Sequence, residues 1–243
     1  MTRNPASGKR GANGRKPYSL LLLIFLLILA PLVYLSLGLS LLAFDPVYYQ
    51  EMQVQVGWQS TPQLQEMDRA LAAYFQGREE IPPELLQRFQ AKEQVHLADI
   101  AWLLGILRWA TVISATAFAA FAVLLFWRDP SWARRAFPWA LAATLAFLAA
   151  LGLAFFLAFD TLFLQFHLLT FSNDTWMLGP DYLLFQLFPP DLFFRSILPF
   201  AMVVILLLFL SFLASRLVQP RPIAPANQPP PLSPQPNRGS EPG

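Results

Sequence analysis

The 243-residue sequence contains no cysteine. That absence excludes disulfides, thiol nucleophiles, iron–sulfur clusters and cysteine-ligated zinc. Charge is scarce as well. Asp, Glu, Lys and Arg together make up 13% of the chain, about half the share of a soluble domain. The net charge is only +2, so nothing points to nucleic acid as a partner. Histidine occurs just twice, at His96 and His167. There is no P-loop, G-x-G-x-x-G, H-E-x-x-H or G-x-S-x-G, which leaves nucleotide chemistry and a serine-esterase elbow without support. No internal repeat or heptad is visible.

Apolar sequence is abundant. Hydrophobic residues make up 56% of the chain, with 22 Phe and 7 Trp. Four runs reach the length of about 20 residues that a helix needs to cross a bilayer: Ser19 to Phe44, Ala101 to Trp127, roughly Phe137 to Phe159, and roughly Ile197 to Leu213. They are continuously apolar, without the alternation of barrel strands. The sequence therefore predicts an all-α membrane protein with four transmembrane helices. Its divisions are a basic N-terminus (1–17), a membrane domain (18–215) and a disordered Pro-rich tail (216–243). The tail has nine prolines in the 24 residues from Pro220.

Charge placement orients the spans. Arg3, Lys9, Arg10, Arg15 and Lys16 precede the first, and Arg128, Arg134 and Arg135 lie between the second and third. By contrast, Asp45 to Ile100 holds nine acidic and four basic residues, and Asp160 to Ser196 holds four Asp and one Arg. Both termini are expected in the cytoplasm, in a multi-pass cell-membrane protein. The 45–100 and 160–196 loops would then form a small extracytoplasmic cap. Within it, Thr61-Pro62 reads as a helix start. Leu64, Met67, Leu71, Tyr74 and Phe75 follow at helical spacing, and Gly77 stops the run. The stretch Phe44 to Trp58, with Val47, Tyr48, Tyr49, Val54 and Val56, reads as extended. A short helix is expected from Pro83 through Phe89, and a longer one through His96 into the second span.

Both histidines fall beside a span on the same side of the membrane. In Glu93-Gln-Val-His96-Leu-Ala-Asp99 a carboxylate lies three residues to either side of the imidazole, hence adjacent on a helix. Asp99 is positioned to hold one ring nitrogen and leave the other free as a base. The bland alternative is a solvated helix start. Around His167, the segment to Pro180 mixes aromatics with Thr170, Asn173, Asp174, Thr175 and Trp176. An interfacial aromatic belt would explain it equally well, and the sequon Asn173-Asp-Thr reads as chance. Arg108 is the charge that falls within a span. It is a candidate to pair with Asp160, to hold a lipid phosphate, or to snorkel. A two-histidine metal site completed by Asp99, Glu93 or Asp174 stays open on spacing alone.

These segments resemble a family of bacterial four-helix membrane proteins, the lipoprotein intramolecular transacylases. The resemblance rests on Leu71-Ala-Ala-Tyr74-Phe75-Gln-Gly77, on Glu93-x-x-His96-x-x-Asp99, and on Phe166-His167 through Asn173-Asp-x-Trp176 to Phe193-Phe194. It spans roughly residues 18–215 and departs at Gly179, where an acidic residue is expected. It implies transfer of the sn-2 acyl chain of a diacylglyceryl-cysteine onto the α-amino group of that cysteine, at the outer membrane–water interface. The implied partners are diacylglyceryl lipoproteins and membrane lipid. No cofactor or metal is implied. His96 and His167 become the catalytic candidates, with Glu93, Asp99, Asn173, Asp174 and Trp176 in support and Arg108 on lipid. The chemistry suits the residues: ester aminolysis needs one base and one proton donor, which imidazole supplies. The alternatives are a non-catalytic membrane protein whose cap binds a partner and, less favoured, a metal- or proton-linked transporter.

Overall fold

The computed structural model describes residues 17–217. The expectations for the basic N-terminus and the Pro-rich tail fall outside this range, apart from residues 17, 216 and 217. Among the described residues the chain is helical throughout, in ten segments with no strand. Four helices are long and apolar enough to cross a membrane: α1 (Pro17–Ala43), α5 (Ala91–Arg128), α6 (Pro130–Leu157) and α10 (Ile197–Leu217). Their exposed flanks are apolar, as at Ile28, Ile113, Val123, Leu153 and Leu206. Such a surface is stable in lipid and would aggregate in water. An even number of spans returns residues 17 and 217 to the face opposite the cap.

The spans pack around Leu26, Ala30, Leu125, Ala133, Phe137 and Leu208. Where α1 meets α10, a side chain at Gly38 would come within 2.9 Å of Phe200, so glycine there permits close approach. Pro31 and Pro138 lie inside α1 and α6. Asp129 ends α5 and starts α6, its carboxylate accepting from Trp132 N at 3.3 Å.

The remaining helices build the cap: α2 (Pro46–Gln55), α3 (Pro62–Phe75), α4 (Pro83–Leu86), α7 (Phe159–Thr170), α8 (Leu183–Leu187) and α9 (Pro190–Arg195). Its core contains Met67, Leu71, Phe89, Leu97 and Leu187, each at most 2% exposed. Full burial of such a side chain contributes about 1.5–3 kcal/mol. The amphipathic helix after Thr61 forms as expected, with Thr61 Oγ1 accepting from Leu64 N at 3.2 Å.

Several expectations are corrected. Phe44 to Trp58 is helical from Pro46 to Gln55 rather than extended. Asp45 caps this helix by accepting from Val47 N at 2.9 Å, and Pro46 occupies its first turn. Capping chemistry outweighed the β-preference of the valines and tyrosines. The helix after Pro83 stops at Leu86, short of Phe89. Leu192 to Phe194 belong to a separate short helix, α9, ahead of the last span. The 160–196 loop is itself partly helical. The helix expected through His96 into the second span does form, as the single α5, and it is longer than a bilayer requires. Its Leu97 is buried in the cap core, and Ile100, Ala101 and Leu104 pack against that core. Phe118, Ala122 and Leu125 meet the bundle. The sequence-predicted start at Ala101 therefore falls within the cap.

Arg108 lies below that cap section, and its contacts differ from those expected. Nη1 donates to the Gln76 carbonyl at the end of α3, where helix carbonyls lack intrahelical partners. Gln76 Nε2 in turn donates to the Phe44 carbonyl (2.8 Å) after α1. Gly77 has φ +64°, and a Cβ there would sit 3.2 Å from Arg108 Nη1, so glycine meets both a backbone and a space requirement. Arg108 thus knots α1, α3 and α5 together at the base of the cap. It forms no ion pair with Asp160 among the described residues.

Candidate functional site

The two histidines, 71 positions apart in sequence, meet inside the cap. His96 lies in the second turn of α5 and His167 in the last turn of α7. Their ring centroids are 6.3 Å apart. Both are buried, at 6% and 9% exposure. Local sequence sets each. α5 begins with a reciprocal capping box between Gln90 and Glu93, and the Gln90 amide donates to Glu93 Oε2 at 2.7 Å. α7 ends at Phe171, whose amide donates to the His167 carbonyl at 2.9 Å.

His167 stands among aromatic rings. Centroid distances are 4.4 Å to Phe163, 5.0 Å to Trp176, 5.3 Å to Phe166 and 5.7 Å to Phe171. Its Nδ1 lies 2.7 Å from the Phe163 carbonyl. A carbonyl only accepts, so Nδ1 carries the proton. The neutral ring then offers Nε2 as its lone-pair nitrogen. Burial pushes this imidazole below its ordinary value of 6.5, against a smaller upward pull from the Phe163 hydrogen bond. The ring therefore favours its neutral, basic form.

His96 is held differently. It packs edge-on to Phe171 at 5.1 Å. Neither ring nitrogen has a hydrogen-bond partner among the described residues, and Nδ1 is fully buried. A buried polar atom without a partner costs on the order of 1–3 kcal/mol, a cost that enzymes accept at reactive centres.

The carboxylates do not serve His96 as expected. Asp99 Oδ2 accepts from Asn173 Nδ2 at 2.9 Å and from the Thr175 hydroxyl at 3.2 Å. It makes no hydrogen bond to His96. Glu93 is buried, with Oε2 on the Gln90 amide and Oε1 on the Leu184 amide at 2.6 Å. Being three residues away placed both carboxylates on neighbouring turns, but their acceptors were claimed by groups with unpaired N–H donors. Asp174 is exposed and contributes its backbone carbonyl to a turn with Met177 N at 3.1 Å. Trp176 does join the site, against His167. Arg108 does not; it borders a separate cavity of about 330 Å³ with Tyr74, Arg78, Glu79 and Glu80. Among the described residues no three His, Asp or Glu side chains converge as a metal site.

The sequence reading missed Phe163 and Lys92, and named Thr175 without giving it a role. Phe163 was detectable, because a histidine can bond the carbonyl four residues back at a helix end. The role of Thr175 was also detectable: Asn-x-Thr is an Asx-turn pattern, and Thr175 N donates to Asn173 Oδ1 at 3.0 Å. Lys92, which donates to the Met177 carbonyl at 3.0 Å, left no signal.

Two solved structures of the membrane-integral lipoprotein intramolecular transacylase Lit from Bacillus cereus superimpose on the chain, one of them a histidine-to-arginine variant. Each has a TM-score of 0.65 at 14% identity and covers 83% of this chain. The match takes in 95% of one structure's chain and 92% of the other's. At that identity the likeness concerns the fold. No curated protein sequence matches significantly. The model of the family "Lipoprotein intramolecular transacylase Lit" matches residues 19–194, a stretch that contains both histidines and most of the four-span frame. With nearly three-quarters of its length matched, the chain belongs to the lipoprotein intramolecular transacylase family.

Proposed function

We propose that the chain converts diacylglyceryl lipoproteins to the lyso form, with His167 as the general base. The observation that supports this most is the Nδ1–H of His167 held on the Phe163 carbonyl, which leaves Nε2 as the acceptor. In this reaction the α-amino nitrogen of the N-terminal cysteine attacks the carbonyl carbon of the sn-2 ester. An N–C bond forms, and the C–O bond to glycerol breaks. The proton leaving nitrogen passes through His167 Nε2 to the departing glycerol oxygen. Atoms balance without an acyl-enzyme, in keeping with a chain that lacks cysteine.

His96, with its centroid 6.3 Å away, is the second hydrogen-bonding group for the same reacting centre. Its Nδ1 is fully buried, which leaves Nε2, also without a partner among the described residues, as the nitrogen available to substrate. Both reacting groups belong to one molecule, so orientation supplies much of the rate. The charge distribution supports the cap facing outward, where lipoproteins mature, with both termini cytoplasmic. Arg108 falls with lipid headgroups at the cap base, apart from the reaction.

Expression in a bacterium that lacks lipoprotein N-acylation, followed by mass spectrometry of the N-terminal lipopeptide, tests the reading. The expected product carries one acyl chain on glycerol and one on nitrogen. His167→Ala is expected to abolish it, and His96→Ala to reduce it at least about a hundredfold. Undiminished product from both variants would remove the histidines from the catalysis, and no product from the wild-type chain would leave the cap as a binding surface for a partner.

A further inference from the structure

The segment between α7 and α8 is anchored by the buried Phe171 at one side and by Leu178 against the cap core. Between them Asn173, Asp174 and Met177 are exposed. There the segment is held by polar ties to the first turns of α5. Lys92 reaches the Met177 carbonyl, and Glu93 accepts from the Leu184 amide. Asp99 takes the Asn173 amide and the Thr175 hydroxyl. These ties flank His96 on its own helix, and between them the segment carries Trp176 against His167.

Thr175 is the centre of the knot. Its N–H donates to Asn173 Oδ1 at 3.0 Å. Its hydroxyl lies against Asp99 Oδ2 and also against Asn173 Oδ1. Asn173 points its amide nitrogen at Asp99 and its oxygen at Thr175. The backbone from 173 to 175 is therefore fixed at both ends of one side chain, and the next residue is the tryptophan. A hydroxyl has one proton to donate, so Thr175 serves Asp99 Oδ2 or Asn173 Oδ1 at any moment, while the Asn173 amide nitrogen keeps its own hydrogen bond to Asp99.

We propose that Thr175 is a positioning residue that acts through Trp176 on His167, with Asp99 as its anchor. The proposal rests on the transacylase reading. As His167 takes the amine proton it becomes an imidazolium. A Trp ring with its centroid within about 6 Å attracts such a cation. The attraction is greater in the transition state than in the resting site, so it lowers the barrier itself. Asp99 therefore serves the second histidine, on another helix, through its hydrogen bonds, and acts on its neighbour His96 by its charge alone.

The test is a kinetic double-mutant cycle on the full-length protein, reconstituted with a synthetic diacylglyceryl lipopeptide. Thr175→Val keeps the shape and removes the hydroxyl. It is expected to lower kcat about tenfold with KM unchanged, and Thr175→Ser is expected to restore it. In a Trp176→Leu background, Thr175→Val is expected to cost nothing further, because the route to His167 is already gone. A merely structural role would give additive losses and a lowered melting temperature in both backgrounds. Additive losses, or wild-type kcat in Thr175→Val, would overturn the proposal. Should the valine variant fail to fold, Thr175→Ala enters the same cycle with the same criteria. A His167→Ala control separates the two levels. Full activity there removes the base itself. An inactive His167→Ala beside a wild-type-like Thr175→Val removes only the positioning role.

Discussion

A carbonyl oxygen cannot donate, and that constraint sets the chemistry of His167. With Nδ1 bound to the Phe163 carbonyl, the other nitrogen must take up any proton. Burial holds the imidazole below its ordinary 6.5, so the basic form survives to lower pH than for a free histidine. Protonation at falling pH removes the proposed base. The substrate's α-amine sets one acid limb of kcat/KM at about 7.7–8.0; His167 is expected to add a second one below 6.5, and a second limb at or above that value would contradict the assignment. Phe163→Ala opens the site to water and should move the second limb upward. At this scale the candidate histidines were plain in the sequence, because there are only two. Their partners were not. Helical adjacency told which turn Asp99 occupies but not that Asn173, 74 positions later, would claim its carboxylate.

Among the elements, α2 and α3 share a buried polar pair that no periodicity announced. Gln53 Nε2 donates to Asp68 Oδ1 at 3.0 Å, with both residues fully buried. Gln53 Oε1 and Asp68 Oδ2 are left without partners. Burial raises the Asp68 carboxyl from 3.8 to about 6, the Gln53 hydrogen bond opposing in part. A folded value above the unfolded one means stability that is full below pH 3.8 and lost as pH rises through about 6. Hydrogen-exchange protection of the α2 and α3 amides is therefore expected to be higher at pH 5 than at pH 7.5. Asp68→Asn, neutral throughout, should flatten that difference; an unchanged pH dependence would show that Asp68 is not its source. The helices themselves were legible where capping residues and apolar spacing agreed, as for α3. They were misread where the two conflicted, as at α2. The junction within α5 was invisible, because the apolar demands of a cap core and a bilayer look alike in sequence.

For the whole molecule, the four-span frame was written in apolar length, and the cap's assembly was not. Its contacts join residues as distant as Trp58 and Gln186, whose indole N–H and carbonyl lie 2.7 Å apart. The proposed orientation is open to reporter fusions. A reporter at Ser131 is expected to be cytoplasmic, and reporters near Gly77 and Asp181 extracytoplasmic; labelling of Ser131 from outside intact cells would reverse the assignment. One further consequence follows from α5 being a single unbroken rod. From Arg108, at the foot of the cap, to His96 is twelve residues, about 18 Å of helix. Helices answer a mismatched bilayer by tilting. Pivoting at that foot by about 5° would swing His96 by about 1.5 Å over this length, while His167 rides on a different helix. Misplacement of about 1 Å can cost a hundredfold in rate. Turnover in liposomes of graded lipid chain length is therefore expected to peak at one thickness and fall on either side. The rod would make the enzyme a gauge of the membrane it works in.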